Sequence, residues 1–145
     1  MSADRGASAL ARLLNRSRST GENYNLLLSR FVMERLLFRL SVSPHADSFV
    51  LKGALLFALW YDTPHRPTKD ADLLGFDADD ADTPRTTFNA ICAINANDGV
   101  RYDTQNMRVS PIREDNIYGG LRLVLSAFVG SARLPVQIDI GFGDA

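Results

Sequence analysis

The chain has 145 residues, of which 46% are hydrophobic, enough apolar material for one globular domain with a buried core. Its 16 basic and 17 acidic residues nearly cancel, which excludes a strong whole-molecule attraction to nucleic acid or to an anionic membrane. No apolar stretch approaches the roughly 20 residues of a membrane span, and the polar N-terminus has no apolar signal region, so we expect a soluble cytoplasmic protein with no membrane partner.

The start of the chain predicts two helical segments of different strength. Residues 1–21 mix Ser, Arg, Ala and Gly around a weak apolar cluster, which indicates a weakly structured segment or a short helix. The Ser-x-x-Glu spacing from Ser19 to Glu22 is typical of a capping box, and apolar residues then recur at helical spacing as far as Ser41. We expect this second helix to open a single domain over residues 22–145.

A strand, a tight glycine turn, a helix and a second strand are predicted next. Residues 48–51 are β-branched and aromatic, the strand stops at Lys52-Gly53, and 54–60 consist of strong helix formers. Pro64 and Pro67 place a loop over 62–69, and 70–76 fit the next strand.

The remainder of the chain predicts one more helix and then a β-meander. Thr83-Pro84 is a helix start, and the helix is expected to run to about Asn97 with Cys92, the single cysteine, as a buried thiol in a reducing compartment. Three extended segments follow at 107–112, 121–129 and 136–140, with turn material at 118–120 and 130–131. The fold class is therefore α+β, a small mixed or antiparallel twisted sheet with helices packed on one side.

Three aspartates are the candidate catalytic and metal-binding residues. Because side chains alternate along a strand, Asp70 and Asp72 share one face, where a divalent cation relieves their repulsion. Asp139 lies between two isoleucines on a strand whose apolar residues form the other face, so its carboxylate needs a partner. If the two strands are neighbours, three carboxylates meet, enough for the two metals of an in-line phosphoryl displacement.

The glycine turn is the candidate phosphate site. Lys52-Gly53-Ala54 stands between a strand and a helix start, where backbone N–H groups and the helix dipole attract phosphate. Arg66 and Lys69 add positive charge nearby in sequence. Each motif alone also fits a plainer interpretation: a solvated aspartate pair, a glycine that only closes a turn, or an edge-strand aspartate facing solvent. A nucleotide-sugar glycosyltransferase also uses Asp-x-Asp, but the order of the turn and the third strand argues against it.

Together these segments resemble the AbiEii/AbiGii nucleotidyltransferase toxin family, MenT-like members of the polymerase-β-like superfamily. The resemblance runs from about Phe49 to Ala145 and is carried by three segments: 49–55, 66–73 and 137–144. It implies that Gly53 and Ala54 cradle the phosphates, that Arg66 and Thr68 support the nucleotide site, and that the three aspartates bind Mg²⁺, or Mn²⁺ in its place. Ala54 replaces the usual Gly or Ser of this turn, so only backbone donors remain there.

The resemblance also implies a reaction and partners. A nucleoside monophosphate passes from an NTP to an acceptor, RNA such as a tRNA 3′ end, and the protein acts as the toxin of a toxin–antitoxin pair in phage defence, with an antitoxin protein as partner. Family members continue into a helical second half that bears a lysine and an aspartate, and this half is expected to be absent from the chain. The alternative hypothesis is a catalytically incomplete relative that binds nucleotide or antitoxin without turnover.

Overall fold

The computed structural model describes residues 5–51, 70–75, 82–114 and 118–142. These residues form three helices, α1 (Arg5–Thr20), α2 (Tyr24–Ser41) and α3 (Asp82–Cys92), and a 3₁₀ turn at Ala46–Ser48. They also form five strands: β1 (Phe49–Leu51), β2 (Asp70–Gly75), β3 (Val100–Glu114), β4 (Tyr118–Val129) and β5 (Ala132–Phe142). No helix in these ranges is long and apolar enough to cross a membrane.

The strands form one mixed sheet in the order β1-β2-β5-β4-β3. β2 and β5 are parallel, and the other neighbouring pairs are antiparallel. The predicted α+β fold and the β-meander of the last three strands are confirmed, and the turn at 130–131 is where it was expected.

One face of the sheet and the helices form the core. Alternate residues of the strands are buried on this face, among them Leu123, Ile138 and Ile140, none of which is exposed to solvent at all. They pack with the apolar side of α2, from Leu28 to Leu40, and with α3. The other face carries the remaining alternate residues, which are half-buried or exposed. We call it the open face; in the described residues of β3, β4 and β5 it includes Arg101, Arg108, Arg122, Phe128, Arg133 and Asp139.

The N-terminal segment is more ordered than the sequence predicted. α1 is a 16-residue helix, longer than the expected short one. Gly6 lets it lie against the backbone of two turns, since a Cβ there would stand 2.5 Å from the Gly130 nitrogen and 3.3 Å from the Gly99 carbonyl oxygen. This contact is made by backbone, which hydrophobic periodicity does not report, and it adds to the packing of Ala9, Leu10 and Leu13 on the core.

The predicted capping box at Ser19–Glu22 is wrong, because the second helix begins later in the chain. Asn23, and not Ser19, caps α2, its side chain accepting a hydrogen bond from the Leu26 N–H at 2.9 Å. Ser19 and Thr20 instead end α1, where Gly21 adopts a left-handed conformation with a φ of 78°. The predicted end of α2 at Ser41 is confirmed.

Several further boundaries differ from the predictions; among the strands, β3 begins at Val100 instead of about residue 107, and β5 begins at Ala132 instead of residue 136. α3 ends at Cys92, five residues before the predicted end at about Asn97; the Arg39 side chain donates to the Cys92 carbonyl, and left-handed conformations follow at Asn97 and Gly99. Residues 118–120 belong to β4 and are not a turn. A Cβ on Gly120 would meet the Ile140 carbonyl oxygen at 2.9 Å, so this glycine permits a close strand contact.

A buried network of ion pairs and hydrogen bonds around Arg39 and Asp98, which we call the clasp, joins α2, the end of α3 and the start of β3. Arg39, 4% exposed, donates to the Cys92 carbonyl at 2.9 Å, the Asp98 carboxylate at 2.9 Å and the Val100 carbonyl at 2.8 Å. Arg35 donates to the other Asp98 oxygen at 2.8 Å. Cys92 is buried, as predicted, and burial raises the pKa of its thiol to about 12 despite the nearby Arg39 charge.

The clasp predicts a specific acid sensitivity. Burial opposes ionisation of Asp98, but hydrogen bonds from Arg35 and the Val100 N–H, with the Arg39 charge, outweigh it and lower the carboxyl pKa. A depressed folded-state pKa contributes stability above the unfolded value of about 4, and this contribution is lost as pH falls through the folded value. We therefore expect the difference in free energy of unfolding between wild type and Asp98→Asn to be large at pH 6 and to shrink below about pH 4. Urea titrations across this range measure it, with exposed Asp47→Asn as the control; a constant difference would contradict it.

Candidate active site

The carboxylates of the second and fifth strands lie side by side. β2 and β5 are adjacent and parallel, and their register pairs Asp72 with Asp139 and Asp70 with Gln137. Register partners on neighbouring strands project from the same face about 4.8 Å apart. The sequence prediction of a shared site required these two strands to be neighbours, and they are.

The alternation of burial places both carboxylates on the open face. Ala71 and Leu73 are buried on either side of Asp72, and Ile138 and Ile140 on either side of Asp139. Asp72 is exposed, and the side chain of Asp139 is 21% exposed. The apolar neighbours in sequence thus hold the strands in the core while the carboxylates face solvent.

Asp139 is paired with an arginine from the next strand. Arg122, its register partner on β4, donates from Nε to one carboxylate oxygen at 2.9 Å and from the second guanidinium nitrogen to the other at 3.1 Å. This two-pronged geometry fixes the orientation of the carboxylate as well as balancing its charge. Arg122 is not among the predicted site residues, although a lone arginine between Leu121 and Leu123 in an apolar strand is a signal that could identify it.

A row of polar residues therefore crosses four strands of the open face. It runs from Ser110 on β3 through Arg122 and Asp139 to Asp72 on β2. Two carboxylates and one guanidinium leave the row with a net charge of −1. Carboxylate oxygens are the ligands that Mg²⁺ prefers, so the donor pair of Asp72 and Asp139 fits a divalent cation.

The other predicted site residues cannot be placed in the same way. Asp70 is placed only by its backbone register, and Lys52, Gly53, Ala54, Arg66, Thr68 and Lys69 lie outside the described residues. Within the described ranges, no group of three His, Cys, Asp or Glu side chains is arranged to hold a metal. β1 ends at Leu51, which pairs with Leu73, the residue after Asp72 on β2.

The fold of the chain is shared with two solved structures from Helicobacter pylori. One is the crystal structure of JHP933, with a TM-score of 0.53 and 16% identity over 85% of this chain and 46% of that one. The other is a proposed nucleotidyltransferase, with a TM-score of 0.53 and 17% identity over 86% of this chain and 48% of that one. The chain shares the fold of these two proteins and spans a little under half the length of each.

A family match makes the assignment more specific. Residues 35–145 match the family described as nucleotidyl transferase AbiEii toxin, type IV toxin–antitoxin system. The match covers well over half of the chain, which therefore belongs to the AbiEii nucleotidyltransferase toxin family, as the resemblance of its motifs predicted. No curated protein matches the chain.

Proposed function

We propose that this chain is the catalytic part of a metal-dependent nucleotidyltransferase that transfers a nucleoside monophosphate from an NTP to RNA, such as a tRNA 3′ end. The observation that carries the proposal is the register pairing of Asp72 with Asp139 on the open face of the sheet. Membership of the AbiEii family supports the transferase class and a role as the toxin of a toxin–antitoxin pair, with an antitoxin as partner. Phage defence as the setting is part of the proposal.

The residues divide into a cation site and a phosphate site. Asp72 and Asp139, joined by Asp70, would hold Mg²⁺, or Mn²⁺ in its place. The cation would neutralise charge on the triphosphate and on the acceptor oxygen. The segment that follows β1 and the segment that precedes β2 would bind the phosphates. Their candidate residues are Lys52, Gly53, Ala54, Arg66, Thr68 and Lys69. The end of β1 supports this arrangement, because its last residue, Leu51, pairs with Leu73, the residue after Asp72 on β2.

The reaction needs alignment more than covalent participation by the protein. The acceptor hydroxyl oxygen forms a bond to the α-phosphorus, the bond to the bridging oxygen breaks, pyrophosphate leaves with that electron pair, and the hydroxyl proton passes to water. The carboxylates orient the reacting groups in line, and the buried strand residues beside them keep the carboxylates in register. The protein therefore contributes the positions of the acceptor oxygen and the leaving pyrophosphate, and the charge that stabilises them.

The test is transfer of label from an α-³²P NTP to RNA by the 145-residue chain. We expect transfer that requires Mg²⁺, stops when EDTA is added, and is lost in the double variant Asp70→Asn with Asp72→Asn. Unchanged transfer in that variant would reject the proposal. Nucleotide affinity without transfer, even when a downstream helical half from a relative is supplied, would favour the alternative of a binding protein without turnover.

Arg122 is expected to compete with the cation for Asp139. The Arg122 guanidinium bonds to both Asp139 oxygens, at 2.9 and 3.1 Å, so a cation bound to either oxygen would meet its positive charge. In Arg122→Gln this competition is removed, so Mn²⁺ affinity without nucleotide should rise about tenfold, roughly 1.4 kcal/mol. Mn²⁺ titration followed by electron paramagnetic resonance measures it. Arg108→Gln removes the same charge from the same face but lies across from Val124, and should change the affinity less than about twofold. Equal affinities in both variants would show that Arg122 does not compete.

A further inference from the structure

The open face carries a second set of aligned side chains, away from the carboxylate row. Arg101 on β3, Phe128 on β4 and Arg133 on β5 are register partners, so they form another row across three strands. The guanidinium carbon of Arg101 lies 4.4 Å from the centre of the Phe128 ring, and Arg133 donates to the Ser126 hydroxyl at 3.1 Å. Both arginines are exposed, and Phe128 is half-buried.

The strand β4 connects this row to the carboxylates. Phe128 and Arg122 are six residues apart on the same face, a distance of about 20 Å along the strand. Arg108 lies between the two rows, opposite Val124, and is exposed. Three guanidinium groups, at positions 101, 108 and 133, thus share this part of the open face with one carboxylate, that of Asp103. This carboxylate accepts a hydrogen bond from the Asn106 side chain at 2.8 Å. This part of the molecule is basic although the chain as a whole has a net charge of −1.

We infer that this part of the open face, formed by Arg101, Arg108, Phe128 and Arg133, binds the single-stranded end of an RNA acceptor and leads it toward Asp72 and Asp139. Arginine guanidinium groups bind phosphates, and single-stranded RNA bases stack on aromatic rings and on guanidinium planes. An acidic protein would use the arginines but has no bases to stack on Phe128 and Arg101. The inference rests on the proposed function, because it assigns a place to the acceptor of that reaction.

The direct test is the affinity of the 145-residue chain for a short fluorescein-labelled single-stranded RNA, followed by fluorescence anisotropy. We expect Arg101→Gln with Arg133→Gln to weaken binding at least about tenfold at low salt and to reduce the slope of log affinity against log salt by about 1.4, or 0.7 for each lost phosphate contact. The matched control is Arg12→Gln with Arg18→Gln, two exposed arginines of α1, which is on the helix side of the sheet. It makes the same change in net charge and should leave affinity within about twofold.

Phe128→Leu separates RNA from a bare polyanion. Loss of stacking should weaken RNA binding by up to about tenfold, while binding of poly-aspartate should not change. Equal RNA affinity in the arginine variant and its control would overturn the inference, as would poly-aspartate binding as tightly as RNA, which would indicate an acidic protein. If label transfer to RNA is lost in the aspartate variants but untouched by the arginine variant, the proposed function stands and this inference falls. Arginine-dependent RNA binding without transfer would retain the surface and reject the function.

Discussion

Asp72→Asn and Asp139→Asn are each expected to lower the rate of label transfer to RNA by about a thousandfold, because several kcal/mol of transition-state charge stabilisation depend on the cation that these carboxylates would hold. An amide keeps the shape of the side chain and one oxygen but loses the negative charge. Single-turnover transfer with saturating NTP measures the effect. Since the two residues share one cation site, the double variant should be little slower than either single variant.

Two controls separate chemistry from folding in this experiment. Asp47→Asn removes an exposed carboxylate from the 3₁₀ turn before β1, outside both the carboxylate row and the basic part of the open face, and should leave transfer within about twofold. Thermal unfolding of Asp139→Asn should show a loss of less than about 1 kcal/mol, because its ion pair with Arg122 is partly exposed to solvent. Transfer at the wild-type rate in either active-site variant would reject the metal assignment.

Arg39→Met is expected to be strongly destabilising, with a loss of about 3–5 kcal/mol in free energy of unfolding and about 10 °C in melting temperature. The substitution leaves Asp98 without its most buried partner and removes donors from the carbonyls of Cys92 and Val100. It also removes the guanidinium that lies 4.8 Å from the centre of the Tyr102 ring. Urea unfolding followed by circular dichroism measures the loss.

Arg35→Met is the matched control for the clasp. Arg35 bonds to the same Asp98 carboxylate, but its side chain is 28% exposed, so its loss should cost only about 1 kcal/mol. Adding Asp98→Asn to Arg39→Met should cost less than the sum of the two single changes, because no uncompensated buried charge remains. Additive losses, or equal losses in the two arginine variants, would mean that Arg39 acts through packing alone.

Several elements of the fold could be predicted because their cause is local. The end of α2 at Ser41, the strand at 70–75 and the order of the meander follow from apolar periodicity and turn residues. The orientation of Asp139 is of the same kind, since alternation along a strand with Val136, Ile138 and Ile140 on one face leaves it on the other. The family could be recognised from short motifs for a related reason, that phosphate and metal chemistry need particular residues at particular spacings.

The errors have a common physical origin in contacts between distant parts of the chain. Ser19 and Glu22 have the spacing of a capping box, but Gly21 ends α1 there and Asn23 begins α2. The end of α3 depends on Arg39, 53 residues away in sequence, which takes the Cys92 carbonyl. Gly120 resembles turn material, yet its lack of a side chain serves the approach of β5. Local pattern carries no information about which of these interactions prevails.

The sequence by itself determined the α+β class, the nucleotidyltransferase motifs and the face on which each candidate carboxylate lies, because these depend on spacing within one element. Only the tertiary structure decided that Asp72 stands beside Asp139, that Arg122 completes the row, and that Arg101, Phe128 and Arg133 align across the same face. Strand order and register are set by the packing of the whole sheet against its helices, and a shift of one residue in any one strand would move the side chains of that strand from the open face to the core.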